Sequence, residues 1–220
     1  MQIDFTDQRF QAQLLHDRFP NVAPHIRVML FASSGPLFPD ALAYPLVPGC
    51  TAHLCVKRGP DHTRLLTEEH ARAWGVRRED VWFAAMQSMA YEPLDVRPIQ
   101  IRGDVPVHTV KGSGWPASSH VLRLPELLAG PAPFGVAALL PQLDGLIFVP
   151  LLSRRSLLAL ADAHVVFRRS IAGEGPFLDR MLWWRGGQLT ALEFTPGADG
   201  ELPAIHSPEF DHMVRTQMPP

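Results

Sequence analysis

Both cysteines of the 220-residue chain fall within the six residues Cys50-Thr-Ala-His-Leu-Cys55, with His53 between them. Thiols and an imidazole at close spacing are zinc-ligand chemistry, because a tetrahedral site takes Cys and His in any combination. In an extended strand, however, alternate residues point to opposite faces, so His53 and Cys55 share a face and Cys50 points away. Two ligands remain, and His62 or His70 would have to complete the set. Cysteine is also among the most buried residue types without any chemistry, and no cation-rich helix start adjoins either thiol to lower its pKa. The stretch therefore reads as a structural strand, with Cys50, His53 and Cys55 as the metal-ligand candidates and no cofactor expected.

A second cluster, GSGWPASSH over residues 112–120, has the parts of a hydrolase or transferase site. Gly112 and Gly114 would let backbone amides approach a ligand. Ser118 or Ser119 would be the nucleophile, with His120 or His108 as base. The G-x-S-x-G elbow is absent, and a sequence-adjacent Ser-His pair is weak evidence because such groups assemble in space. A turn followed by a serine helix cap accounts for the same residues. Glu68, Glu69 and His70 lack the H-E-x-x-H spacing of a metalloprotease, and carboxylates in a first helical turn complement the helix dipole. His206 and His212 stand six apart in a polar stretch and fit a surface role. In Trp183-Trp184 the two indoles of a strand must face opposite ways. One is expected in the core and the other, with Trp115, on a partner-binding face.

The elements that would position these residues are legible from periodicity. Residues 8–19 place Phe10, Leu14, Leu15 and Phe19 on one helical face, and HIRVMLFA (25–32) reads as a strand. The proline-rich GPLFPDALAYPLVPG (35–49) reads as an extended connection. Thr67 caps a short helix closed by Gly75. Residues 78–89 form the clearest helix, with an apolar stripe of Val81, Trp82, Ala85, Met86 and Met89 and a stop at Pro93. LDVRPIQIRG and VPVHTVKG read as a hairpin, SSHVLRLPELLAG as a helix, and LIFVPLL after Asp144-Gly145 as a buried strand. Ser153 caps the helix RRSLLALADA, HVVFRRSI reads as a strand, and Gly186-Gly187 marks a hairpin. Strand clusters punctuated by helices, without regular βαβ spacing, predict an α+β fold. Its sheet is expected to be mixed and mainly antiparallel, flanked by helices. Residues 1–220 form one domain, or two lobes sharing a core with a boundary near 112–116.

Composition narrows the function classes. Of the residues, 46% are hydrophobic and 19% charged, below the usual charged share of about 25%. A chain this long buries roughly 70% of its unfolded surface without staples. A net charge of −2 and dispersed arginine pairs argue against nucleic-acid binding. The apolar region 136–152 is broken by Pro141, Asp144, Gly145 and Pro150 and is not a membrane span. The opening MQIDFTDQRF has neither the basic start nor the apolar core of a signal peptide, so a cytoplasmic setting is expected.

Three segments together resemble a family. LTEEHARAWGVRREDVWFAAMQSM (66–89), SSHVLRLPELL (118–128) and DGLIFVPLLSRRSLLAL (144–160) are similar in order and spacing to the YtpQ-like family of uncharacterised bacterial proteins. The likeness spans about 65–160. Ser88 and Met89 stand where that pattern has Asn and Leu, and Arg155 where it has an acidic residue. The resemblance implies an α+β cytoplasmic bacterial protein and supplies no catalytic residues. The expected function is a non-catalytic protein-binding or accessory module, with a protein partner or a second copy as its ligand. The alternative is a hydrolase or transferase using the 112–120 loop.

Overall fold

The computed structural model describes residues 8–58, 63–102, 105–170, 177–195 and 202–220, so His62 lies outside the described residues. The fold is α+β, built on mainly antiparallel sheets with helices. It divides into two compact units at Pro93/Leu94. The Gly112–Pro116 turn lies inside the second unit.

The first unit begins with α1 (Gln8–His16) and the single turn α2 (Phe19–Val22). It continues through β1 (Ile26–Phe31), β2 (Ala43–Val47), β3 (Cys50–Lys57), β4 (Thr63–Leu65), α3 (Glu68–Trp74) and α4 (Arg78–Met89). The sheet runs β1-β3-β2, all antiparallel, and β4 pairs with the far end of β3. Central β3 is buried from Cys50 to Val56, as a strand covered on both faces must be. The proline-rich connection yields β2, because Pro45 needs no ladder donor on an edge strand.

Helix α3 is capped as its sequence prescribes: Thr67 and His70 form a capping box, and Gly75 closes it at φ 67°. In α4 the Asp80 carboxylate accepts from the Arg77 backbone N–H at 3.0 Å, and Val81, Ala85 and Met89 are fully buried. Met89 also covers the edge of β1, where the Val28 N–H donates to its sulfur at 3.4 Å.

The second unit carries a six-stranded antiparallel sheet in the order β10-β9-β7-β8-β6-β5. Its strands are β5 (Leu94–Arg102), β6 (Val105–Gly112), β7 (Val136–Gln142), β8 (Gly145–Pro150), β9 (Leu178–Arg185) and β10 (Gln188–Leu192). A small pair, β11 (Phe194–Thr195) with β12 (Ala204–Ile205), stands apart. Helices α5 (Arg154–Ser170) and α6 (Pro208–Thr216) complete the unit. One sheet face, through Val107, Ala137, Ile147, Val149 and Trp183, shares a core with Leu157 and Leu160 of α5 and Phe210 and Met213 of α6. Gly186 and Gly187, at φ 58° and 83°, make the β9-β10 turn with two left-handed residues.

Two expected elements differ. The stretch HVVFRRSI continues α5 to Ser170 rather than forming a strand. No Gly or Pro interrupts it, and Leu157, Leu160 and Ala163 keep the helical spacing into the core. SSHVLRLPELL forms a 3₁₀ segment, Ala117–Leu127, kinked at Arg123. Pro125 removes a backbone donor inside it and prevents a regular α-helix. Ser118 and Ser119 consequently sit within the segment and Pro116 occupies the cap position. Among the described residues no helix is long and apolar enough to cross a membrane.

Candidate functional site

The strand at residues 50–57 separates its thiols as alternation requires. His53 lies opposite Met29 and Ala43, and Cys55 opposite Arg27 and Leu65, which places both on one face while Cys50 takes the other. Both thiols are free and buried. Burial pushes the Cys50 thiol up to about 11 and Cys55 higher still, and it pulls the His53 imidazole down to about 4. At neutral pH the three are an imidazole and two protonated thiols. His53 packs edge-on against Phe31 at 4.9 Å, and neither of its ring nitrogens has a hydrogen-bond partner among the described residues. His70 is spent on the cap of α3. Among the described residues no group of three or more His, Cys, Asp or Glu converges on a metal position.

The serine cluster is also walled in. Ser118, Ser119 and His120 have no solvent exposure. The Ser118 and Ser119 hydroxyls have no hydrogen-bond partner among the described residues, so no imidazole activates either. His108 stacks flat on Phe148 across the β6-β8 pair, with ring centres 4.6 Å apart, and burial lowers its pKa. What the 112–116 turn does is packing. A Cβ on Gly112 would lie 1.8 Å from the Trp115 carbonyl oxygen, and Asp144 accepts the Ala117 N–H at 3.1 Å.

The indoles expected on a partner face require correction. Trp115 and Trp183 are each only 3% exposed. Trp183 donates its Nε1–H to the Phe134 carbonyl at 3.0 Å and meets Phe210 edge-on. Trp184, one residue on, points to the other sheet face and is half-buried. Trp183 is core material, in the cluster that the sheet shares with α5 and α6.

Among the described residues, the large aromatics most open to solvent are Phe83, 63% exposed, and Tyr91, 87% exposed. Phe83 is on α4 and Tyr91 in the turn beyond it. On a helix Phe83 lies roughly 160° from the Val81–Ala85–Met89 stripe, on the face that also carries Glu79 and Gln87. That mismatch was readable in the sequence; Tyr91 had no such signal. Trp82, beside Phe83, is occupied: it packs on Tyr44 at 4.6 Å, and the Arg78 guanidinium covers the same Tyr44 ring at 4.8 Å.

Beside these aromatics, Ala23, Pro24, Arg27, Ala84, Gln87 and Tyr91 line a groove of about 430 Å³, open on its solvent side. Ala23, Pro24 and Ala84 supply small apolar lining. One lining residue, Arg27, belongs to an ion network between elements distant in sequence. Glu92 accepts from Arg27 Nε at 2.7 Å and from Lys57 Nζ at 2.9 and 3.0 Å. Burial alone would raise the Glu92 pKa, but the hydrogen bonds from Lys57 and Arg27 outweigh it and hold the carboxyl below the ordinary glutamate range. The arrangement offers apolar contact and fixed charge, with no nucleophile paired to a base.

Compared with family models, with curated proteins and with solved structures, the chain matches none.

Proposed function

We propose that this protein is a non-catalytic protein-binding module of the bacterial cytoplasm, and that α4 with the turn after it is its contact surface. The exposure of Phe83 and Tyr91, the latter lining an open groove with small apolar residues, carries this reading. Leaving a side chain of this size in water forgoes about 1.5–3 kcal/mol of burial free energy, and aromatic residues are enriched where partners dock. The buried, unactivated serines weigh against the hydrolase alternative. Two free buried thiols suit a reducing compartment. The YtpQ-like resemblance over 65–160, which supplies no catalytic residues, agrees with the same reading.

The test is site-specific photocrosslinking in cells, with a benzophenone side chain placed at position 83 or 91 of the full chain. A discrete adduct is expected at both positions and none at Leu152, another exposed apolar residue, which lies in the second unit. Absence of adducts at 83 and 91, or labelling of Ser118 or Ser119 by a fluorophosphonate probe, overturns the proposal.

A further inference from the structure

We infer that the pocket lined by α5, α6 and β12 binds a small organic acid, a carboxylate on a short apolar chain, with Arg154 as its anchor. The site belongs to the second unit and does not depend on the α4 reading.

Arg154 opens α5 and is held by the end of α6. Its Nε donates to the Val214 carbonyl at 3.1 Å and its Nη2 to the Arg215 carbonyl at 3.0 Å. Its backbone N–H donates to the Pro219 carbonyl at 2.9 Å. The last carbonyls of a helix lack intrahelical partners and carry partial negative charge, so a guanidinium is fixed there. Those two nitrogens serve the fold. Nη1 does not: it makes no hydrogen bond among the described residues, and it is not one of the unpartnered atoms sealed from solvent. Arg154 lines the pocket with that group still to be satisfied.

The donor type sets the chemistry of the ligand. A guanidinium offers only N–H donors and keeps its proton, so whatever rests on Nη1 must accept hydrogen bonds. An ionised acceptor makes the stronger bond, and a donor already fixed in place loses little freedom on binding. Among the lining residues Asp211 is the one acid, and it is engaged: Arg215 Nε donates to its Oδ1 at 3.0 Å. The apolar wall comes from Leu157, Ile205, Phe210 and Val214, with Leu202, itself 41% exposed. Such a wall suits a hydrocarbon chain and leaves the hydroxyls of a sugar unpaired.

Size narrows the class further. The pocket measures about 220 Å³, the space of roughly seven waters at about 30 Å³ each. A short branched acid fills it, whereas a dinucleotide or a long acyl chain does not fit. A ligand of so few atoms binds weakly, with a Kd of about 0.1–3 mM.

The experiment titrates the full chain with 4-methylpentanoate and follows backbone amide shifts by NMR. The isosteric neutral amide, 4-methylpentanamide, is the control. The acid is expected to shift amides within 154–157, 202–206 and 210–216 saturably, and the amide to bind about tenfold more weakly or worse. Leu202→Glu adds a carboxylate of the chain's own to the lining at a partly exposed position, so it should abolish the shifts and leave Tm unchanged. Leu202→Gln, of the same length without the charge, should keep the Kd of the acid within about threefold. Equal binding of acid and amide overturns the anchor, as do shifts that survive Leu202→Glu. Absence of saturable shifts up to about 30 mM, tenfold above the weakest expected Kd, overturns the site. Crosslinking at positions 83 and 91 stands or falls separately, because both lie in the first unit.

Discussion

The 3₁₀ segment Ala117–Leu127 and the α4 face use their residues in opposite ways. The first carries two serines and a histidine, the types a chemist would pick out, and all three have no solvent exposure. The second carries a phenylalanine and a tyrosine, ordinary core residues, and both stand in water. A substrate must reach a nucleophile and a base must touch it; the 3₁₀ segment offers neither access nor contact. On α4 and the turn after it what reaches solvent is aromatic surface, near an ion network that fixes Arg27 and Glu92. Residue type proposes chemistry, and exposure with preorganisation decides whether it is available.

Removing the brace gives the largest effect. Glu92→Ala leaves Arg27 and Lys57 facing each other at a site where the glutamate side chain is 5% exposed. Breaking a buried ion pair by deleting one partner costs about 3–5 kcal/mol, and the 21% exposure of Lys57 places this one near about 3 kcal/mol. Urea unfolding of the variant measures it. The native network also has an acid signature. A carboxyl whose pKa is depressed on folding stabilises above its unfolded value, near about 4.3, and the stabilisation is lost as pH falls through the folded value. Glu92→Ala should therefore flatten the stability profile below about pH 4.3. An unchanged profile would mean that the brace does not hold the α4 face.

On the other side of the comparison, Gly112→Ala tests whether the 112–116 turn is a packed element rather than a loose active-site loop. The new methyl would lie against the Trp115 carbonyl and the Asp144 carboxylate. Overpacking of this kind costs about 1–3 kcal/mol, and backbone on the far side of the clash puts the cost at the upper end. A fall in Tm is expected; a neutral substitution would reopen the turn as a mobile loop.

What was legible in the sequence follows from how local each signal is. The α4 helix, the β3 strand, the Gly75 cap and the Gly186-Gly187 turn are set by residues within a few positions of one another, and they form as read. HVVFRRSI misleads because Val165 and Val166 favour a strand locally while the core contacts of Leu157, Leu160 and Ala163 extend the helix. The site is less visible still. Arg27 and Glu92 are 65 residues apart, and nothing in either neighbourhood announces the pairing. Alternation required one of Trp183 and Trp184 to face away from the other but could not say which is covered, and Trp115, expected on a partner face, is buried, because coverage of an indole is set by the folded chain and not by its flanking residues.

The buried polar groups give smaller effects of the opposite sign. His53 titrates near about 4 in the folded chain against about 6.5 when unfolded. The unfolded state thus binds more protons between these values, and stability falls as pH drops from about 6.5 toward 4, by at most about 1.4 kcal/mol per pH unit. Because neither ring nitrogen has a partner among the described residues, His53→Leu should leave stability at pH 7 equal or higher and remove this slope. Thermal denaturation at pH 7 and pH 5 separates the two. Ser118→Ala with Ser119→Ala follows the same logic. Deleting a buried hydroxyl that lacks a partner relieves desolvation, so a gain of about 1 kcal/mol is expected, whereas a loss would reveal a hydrogen bond that the serine segment depends on.

The smallest effect on stability is expected where the effect on function is greatest. Phe83 and Tyr91 are mostly in water, so Phe83→Ser with Tyr91→Ser removes little burial and should change unfolding free energy by less than about 0.5 kcal/mol, the usual range for surface substitutions. Loss of two aromatic anchors from an interface, by contrast, costs about 2 kcal/mol or more each when they sit at its centre, about thirtyfold in affinity per residue. The discriminating measurement is therefore a pair: Tm of the double variant, expected unchanged, and yield of crosslinked partner from a probe at position 87, expected to fall at least tenfold. If Tm fell by several degrees while crosslinking persisted, the two rings would be structural after all, and the distinction between α4 and the serine segment would collapse.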